Sequence, residues 1–230
     1  MPAKPRSGSS EAVDNYLKAI LALGGPEEAR VAITSLAQHL SVAPASVTNM
    51  LQKLAGAAAP LVKYERHRGV QLSRAGKKRA LEIVRHHRLI ETFLYRILDY
   101  PLEEVHAEAE RLEHFISERV EERIAAKLGH PTIDPHGHSI PTLDGEIQAT
   151  ESMLLADVSD AGNFRIDSVS DRDTGYVRRL EARGITPGAH LKLKGATAAG
   201  YNLRVGRTGK TFLLPRTLAE QVRIVRVPEN

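Results

Sequence analysis

At His130 the hydrophobic rhythm of this 230-residue chain changes, and that change limits its fold more than any other feature. Ahead of it, apolar residues recur at helical spacing; behind it, they alternate in short runs. The stretch from His130 to about Gly145 is rich in Pro, Gly, His and Asp, the mark of a connector without a core of its own. A mainly helical part and a β part are therefore joined in series, and the length leaves room for a real core in each. The fold class is α+β.

In the helical part, Val13, Leu17, Ile20 and Leu21 mark a first helix that Gly24-Gly25-Pro26 ends, after a Ser/Gly/Pro-rich tail. A second helix runs about Ile33–Leu40. Ser41-Val42-Ala43 is a tight connection, and Pro44 suits the first turn of a third helix that continues to about Gly56. Two helices around a short turn is the helix-turn-helix layout. Leu61–Tyr64 and Gly69–Leu72 bracket a polar tip and predict a hairpin. Ser73 is an N-cap for a long helix to about Leu98, and Leu102–Phe115 and Ser117–Leu128 predict two more. Beyond the connector, Phe164–Val169, His190–Lys194, Tyr201–Val205, Thr211–Leu214 and Val222–Val227 predict five strands, with a short helix near Tyr176–Arg183. A small β-barrel closes such strands naturally, because it removes exposed edges. Three segments result: a winged helix-turn-helix over 1–73, a helical segment over 74–145 and a barrel over 146–230.

Charge follows the same partition. Residues 1–100 carry 15 basic and 8 acidic residues, 101–160 carry 4 and 14, and 161–230 carry 13 and 6. A basic first segment suits a polyanion, whereas the acidic middle one attracts cations and repels DNA. Cysteine is absent, which excludes disulfides, thiolate ligands and Cys-type zinc fingers. No apolar run is long enough to span a bilayer and the start has no secretory core, so the expected location is the cytoplasm, with no membrane partner.

Two constellations carry chemistry. On the third helix, Val47, Met50, Leu51 and Leu54 share one face, and the opposite face offers Ala45, Ser46, Thr48, Asn49, Gln52 and Lys53. Small and hydrogen-bonding side chains there can approach base edges closely, Asn to adenine and the Thr methyl to thymine. Arg66, His67 and Arg68 at the hairpin tip, with Lys63 beside them, suit phosphates or a minor groove. The second constellation is metal-like. His87 and Glu91 lie one turn apart on the long helix, and His106, Glu110, Glu113 and His114 line one stripe of the next. Imidazole with carboxylate suits Mn(II), Fe(II), Co(II) or Zn(II) better than a soft ion. The surplus of apolar residues at Leu89, Ile90, Phe93, Leu94, Ile97 and Leu98 suits either internal core or a self-association seam, as a helix-turn-helix dimer on a two-fold operator needs. A metal-independent winged-helix regulator with a ligand-binding barrel is the rival reading. A metallohydrolase is disfavoured, since no nucleophile motif or Gly-rich phosphate loop accompanies the cluster.

Several stretches together resemble the diphtheria-toxin-repressor family of iron- and manganese-dependent regulators over essentially the whole chain. They are Asn15-Tyr16-Leu17-Lys18-Ala19-Ile20, Ser46-Val47-Thr48-Asn49-Met50-Leu51, Tyr64 to Gly69-Val70, His87-Arg88-Leu89-Ile90-Glu91, Glu110-Arg111-Leu112-Glu113-His114, and His130-Pro131 through Ile140-Pro141. The resemblance implies a winged helix, a helical dimerisation and metal domain and an SH3-like barrel. It further implies a homodimeric, metal-dependent repressor of metal-uptake or metal-homeostasis genes, with no small-molecule substrate and no catalytic activity, on a palindromic double-stranded operator. By position it implies a primary metal site of Glu110, Glu113 and His114 with Asn15, and an ancillary site of His87, Glu91 and His106; in the manganese-responsive branch His87 can serve the primary metal. Asn15 stands where members usually place Met or Asp, and Asp14 is the substitute. Asp171 is the expected barrel ligand and Asp173 the alternative. Glu110 stands where iron-responsive members carry Cys, so Mn(II) is favoured, Fe(II) is the alternative, and Co(II), Zn(II) or Cd(II) are expected to bind in vitro.

Overall fold

The computed structural model describes residues 8–25, 27–148, 150–206 and 209–228; Pro26 and most of the N-terminal tail lie outside them. They fall into two compact units, one of Met1–His87, Leu112–Glu121 and Pro141–Glu146, the other of Arg88–Arg111, Glu122–Ile140 and Ile147–Asn230. This division differs from the three segments read in the sequence, because the long middle helix contributes residues to both units.

The first unit holds α1 (Gly8–Gly24), α2 (Ile33–Leu40), α3 (Pro44–Ala55) and the hairpin β1 (Val62–Glu65) and β2 (Gly69–Leu72). Ser41 closes α2 in the left-handed conformation, φ 54°, and Pro44 opens α3, so the turn is made by a C-cap and a helix-starting proline with Val42 and Ala43 between them. Leu17 of α1, Leu36 of α2, Val47 and Leu51 of α3 and Val70 of β2 are fully buried together. Each such side chain stabilises by roughly 1.5–3 kcal/mol relative to exposure. The hairpin is antiparallel with Val62 opposite Leu72 and Tyr64 opposite Val70. Val31 and Val70 exchange both backbone hydrogen bonds, at 2.8 and 3.0 Å, adding a third short extended segment. That approach requires glycine at position 69: a Cβ there would lie 2.4 Å from the Val31 carbonyl oxygen, and φ is 86°. Ser73 accepts a hydrogen bond from the Gly76 amide at 3.0 Å and so caps α4 (Arg74–Ile97).

The second unit holds the later part of α4, most of α5 (Leu102–Leu112), the end of α6 (Glu118–Lys127) and the SH3-like barrel. Its strands are β3 (Met153–Leu154), β4 (Gly162–Val169), β5 (His190–Thr197), β6 (Gly200–Val205), β7 (Phe212–Pro215) and β8 (Val222–Arg226), with helices α7 (Thr174–Glu181) and α8 (Arg216–Ala219) between them. All pair antiparallel in the order β3-β8-β4-β5-β6-β7. Period-two alternation directs Phe164, Ile166, Leu191, Leu193, Leu203, Val222 and Ile224 into one core. Register shifts at Ile166/Ser168 and Leu193/Gly195 insert bulges, the usual means of bending strands around a small core. All five expected strands form; β3, with two residues, is too short to show a period. Among the described residues no helix is long and apolar enough to cross a membrane.

Candidate metal centre and nucleic-acid interface

In the first unit most of the α3 residues expected to face DNA lie on its exposed outer face. Val47, Leu51 and Leu54 are buried, while Ala45, Ser46, Asn49, Gln52 and Lys53 are exposed. Thr48 is half-buried, and its hydroxyl donates to the Pro44 carbonyl at 3.1 Å. At the hairpin tip Arg66, His67 and Arg68 are all exposed, with His67 at φ 67° in the left-handed region that turns the chain. Arg68 pairs with Glu65 at 3.3 Å, and Arg30 pairs with the same carboxylate. Hydrogen bonds from Arg68 and Arg30 hold the Glu65 carboxyl below its ordinary range. Arg66 has no ion pair among the described residues.

The same unit brings a set of metal-type donors together. Asp14 comes from α1, His87 from α4, and Glu113 and His114 from the turn that follows α5; all four are buried, Asp14 and Glu113 completely. His87 Nδ1 lies 2.6 Å from Glu113 Oε2, His114 Nε2 3.4 Å from Glu113 Oε1, and His114 Nδ1 3.6 Å from Asp14 Oδ2. Two cations face these carboxylates, Arg79 at 2.6 Å from Asp14 and Lys18 on both oxygens of Glu113. Of the two candidates on the first helix, Asp14 is the one beside His114. Asn15 is rotated about 100° around the helix from Asp14, and its buried Oδ1 makes no hydrogen bond.

A second set lies in the other unit. Glu91 of α4, His106 of α5 and Asp171 of the loop after β4 offer ligand atoms within 4.8 Å of one another. His106 Nδ1 is 3.2 Å from Glu91 and 3.7 Å from Asp171. Glu110, half-buried one turn after His106, sits 4.0 Å from His106 Nε2. Asp173 instead caps α7, accepting from the Tyr176 amide at 3.0 Å. Glu91 belongs also to a cluster with Asp134 and His136. His136 Nδ1 is 3.6 Å from Glu91, and His138 Nδ1 is 3.4 Å from Asp134 and 3.5 Å from Asp171. Asp134 Oδ1 accepts from the backbone amides of both His136 and His138, at 2.8 and 2.9 Å, and so fixes the turn that presents the two rings. Burial works to keep these imidazoles neutral, but the carboxylates outweigh it and raise both pKa values, Glu91 first for His136 and Asp134 first for His138. Asp171 is pushed up by burial and pulled further down by His138, ending below its ordinary range. Sequence reasoning treated this stretch as a connector and overlooked Asp134, His136 and His138. The available signal was His-X-His two residues after an Asp, in a segment whose polar residues had no periodic role.

Both sets fit a divalent ion. Buried polar atoms are nearly always hydrogen-bonded, yet both ring nitrogens of His114, both of His136 and Nδ1 of His138 have no hydrogen-bond partner. Imidazole nitrogens beside buried carboxylates, with no sulfur, are the donor chemistry of a borderline or hard dication.

Comparison with known proteins agrees with this geometry. Residues 9–70 match the iron dependent repressor N-terminal DNA binding domain, 73–142 the iron dependent repressor metal binding and dimerisation domain, and 153–226 the FeoA domain. The iron-dependent repressor IdeR of Mycobacterium tuberculosis is 30% identical over 181 residues, covering 73% of this chain and 77% of that protein. The chain belongs to the diphtheria-toxin-repressor family. The diphtheria toxin repressor of Corynebacterium jeikeium is 26% identical to the repressor described here over 190 residues, 73% of this chain and 78% of that one. A manganese-dependent transcriptional repressor solved in complex with manganese superposes with a TM-score of 0.85 at 32% identity, covering 94% of this chain and all of that one. The repressor is thus a metal-dependent DNA-binding protein and not an enzyme, with one domain for DNA binding and one for metal binding and dimerisation, which imply a homodimer on a DNA operator.

Proposed function

We propose that this repressor senses Mn(II), with Fe(II) as the alternative, through two centres in each protomer, and that metal occupancy sets its affinity for a palindromic operator controlling metal-uptake or metal-homeostasis genes. The observation that carries the reading is the pair of His–carboxylate sets in which both ring nitrogens of His114, both of His136 and Nδ1 of His138 lack hydrogen-bond partners. The first centre uses Asp14, His87, Glu113 and His114. The second uses Glu91, His106 and Asp171 with His136 and His138. Oxygen and nitrogen donors without thiolate support manganese, as does likeness to a repressor whose structure contains it.

A bound dication supplies two positive charges and coordination bonds linking α1, α4 and the turn after α5. Asp14 lies on α1, whose apolar face packs against α2 and the hairpin, so fixing Asp14 fixes the reading head. His87, Glu113 and His114 anchor the other end of that linkage. With Asp14 held to His87, Glu113 and His114 in this way, the population would shift towards heads with the spacing an operator requires. Tyr95, Ile97 and Leu98 at the end of α4, and separately Leu112, Phe115 and Val120 around the start of α6, are exposed apolar residues that a second copy would cover.

Calorimetric titration with Mn(II), followed by operator-shift measurements, tests this. Glu113→Gln should lose the first binding event and metal-dependent operator binding while staying dimeric. His136→Ala should lower the stoichiometry from about two ions to about one per protomer, with the first centre's affinity kept. If Glu113→Gln binds operator with wild-type metal dependence, the first centre is misassigned.

A further inference from the structure

Lys18 is unassigned by the metal-site reading, yet it contacts both oxygens of one of that site's carboxylates. Its ammonium lies 2.7 Å from Glu113 Oε1 and 2.9 Å from Oε2. Glu113 is wholly buried and the Lys18 side chain is 18% exposed, so the pair is largely shielded from water but the lysine retains a way out. Lys18 stands one turn after Asp14 on α1, on the stripe that faces the centre.

We propose that Lys18 is a tethered rival of the metal ion, and that the strength of its hold on Glu113 sets the metal concentration at which the repressor engages; the inference rests on the first centre proposed above. An ammonium in contact with both oxygens of one carboxylate occupies the space between them. The neighbouring nitrogens converge on the same two oxygens, His87 on Oε2 and His114 on Oε1. A dication binding carboxylate oxygen at about 2.0–2.2 Å therefore contends for the ground that the ammonium holds.

Charge balance explains why such a rival is built in. Two buried carboxylates, Asp14 and Glu113, face two cations, Arg79 and Lys18. The site is thereby compensated before any metal arrives, and folding does not bury bare carboxylates. An arriving dication makes one resident cation surplus. Arg79 meets Asp14 through Oδ1, whereas the oxygen turned towards His114 is Oδ2. Lys18, by contrast, spans both oxygens of Glu113. Lys18 is the cation that holds the two oxygens approached by His87 and His114. Its flexible stem and partial exposure let the ammonium swing to water.

The test is Lys18→Met, which keeps the stem and removes the charge, measured by calorimetric Mn(II) titration alongside thermal unfolding of metal-free protein. The expected result is Mn(II) affinity tighter by about 10- to 100-fold, the worth of one hydrogen bond to a charged group. The metal-free melting temperature should fall, and the Mn(II) midpoint of operator binding should shift down by a similar factor. A merely structural lysine would lower the metal-free melting temperature and leave affinity equal or weaker; that outcome overturns the proposal. Should Lys18→Met fail to fold, Lys18→Gln gives the same comparison, and Lys18→Arg, which keeps the charge, should hold the midpoint near or above wild type. Glu113→Gln separates the two claims: if it retains full Mn(II) stoichiometry, the site assignment fails, whatever Lys18 does.

Discussion

Glu121→Gln probes what holds the start of α6 in the first unit. Glu121 is 4% exposed, with Arg85 Nε 2.5 Å from Oε1 and His86 Nε2 2.8 Å from Oε2. Arg85 also donates to the Pro141 carbonyl at 2.8 Å. Removing one partner of a buried ion pair typically costs about 3–5 kcal/mol, because the other charge is left uncompensated. Glutamine keeps an oxygen for Arg85 and places an amide towards His86, retaining a hydrogen bond worth about 1 kcal/mol. With the Pro141 contact intact, the expected loss is about 2–3 kcal/mol at neutral pH. The pH dependence follows from the carboxyl itself. Burial pushes Glu121 up, but His86 and Arg85 outweigh it and hold the folded value below the ordinary one. Its contribution is therefore complete above the unfolded value of about 4.3 and is lost as pH falls through the lower folded value. Urea unfolding of metal-free protein at one fixed concentration, from neutral to acid pH, should show a constant gap between wild type and variant that closes only on the acid side. A neutral-pH loss below about 0.5 kcal/mol, the size of an ordinary surface substitution, would refute the reasoning, as would a gap that stays constant into strong acid.

Two further outcomes are expected. Arg66→Ala should reduce the slope of log operator affinity against log salt by about 1 while weakening all sequences alike; Arg68→Ala should move it less, since Glu65 already engages Arg68. An unchanged slope for Arg66→Ala would remove the hairpin tip from the phosphate-contacting surface. Gly137→Ala forces a Cβ to within 2.1 Å of the Asp167 carbonyl oxygen at φ 92°, so it should cost more than the roughly 1–2 kcal/mol of left-handed strain and loosen metal at the second centre. Wild-type melting and Mn(II) stoichiometry in that variant would show that the His136–His138 turn does not depend on this approach.

Local signals were legible wherever residues act on near neighbours. The period of Leu36, Ala37 and Leu40 marks α2, which forms over Ile33–Leu40 as expected. Pro44 and the polar outer face of α3 mark the reading helix, and Ser73 caps α4. The expectation for α5 ran to Phe115, but the helix stops at Leu112, and Glu113 and His114 turn in from the loop that follows. Their reason for turning is remote: Lys18, His87 and Asp14 lie far away along the chain. His136 and His138 were missed likewise, since what makes them part of a centre is Glu91 and Asp171, supplied by other elements.

The change of rhythm at His130, the basic helix-turn-helix and the His–Glu stripes are properties of neighbours in sequence, and through them the chain by itself determined its element types, the exposed polar face of α3 and most of the proposed metal donors. The choice of Asp14 over Asn15, of Asp171 over Asp173, and of Lys18 as the cation on Glu113 belongs to the tertiary structure. One residue along a helix turns a side chain by about 100°, and the rotation that selects Asp14 is set by packing Leu17 and Ile20 into a core contributed by α2, α3 and the hairpin. Asp173 is withheld because the N-terminus of α7 needs its carboxylate. The contact between Lys18 and Glu113, 95 residues apart, exists only once that core has closed.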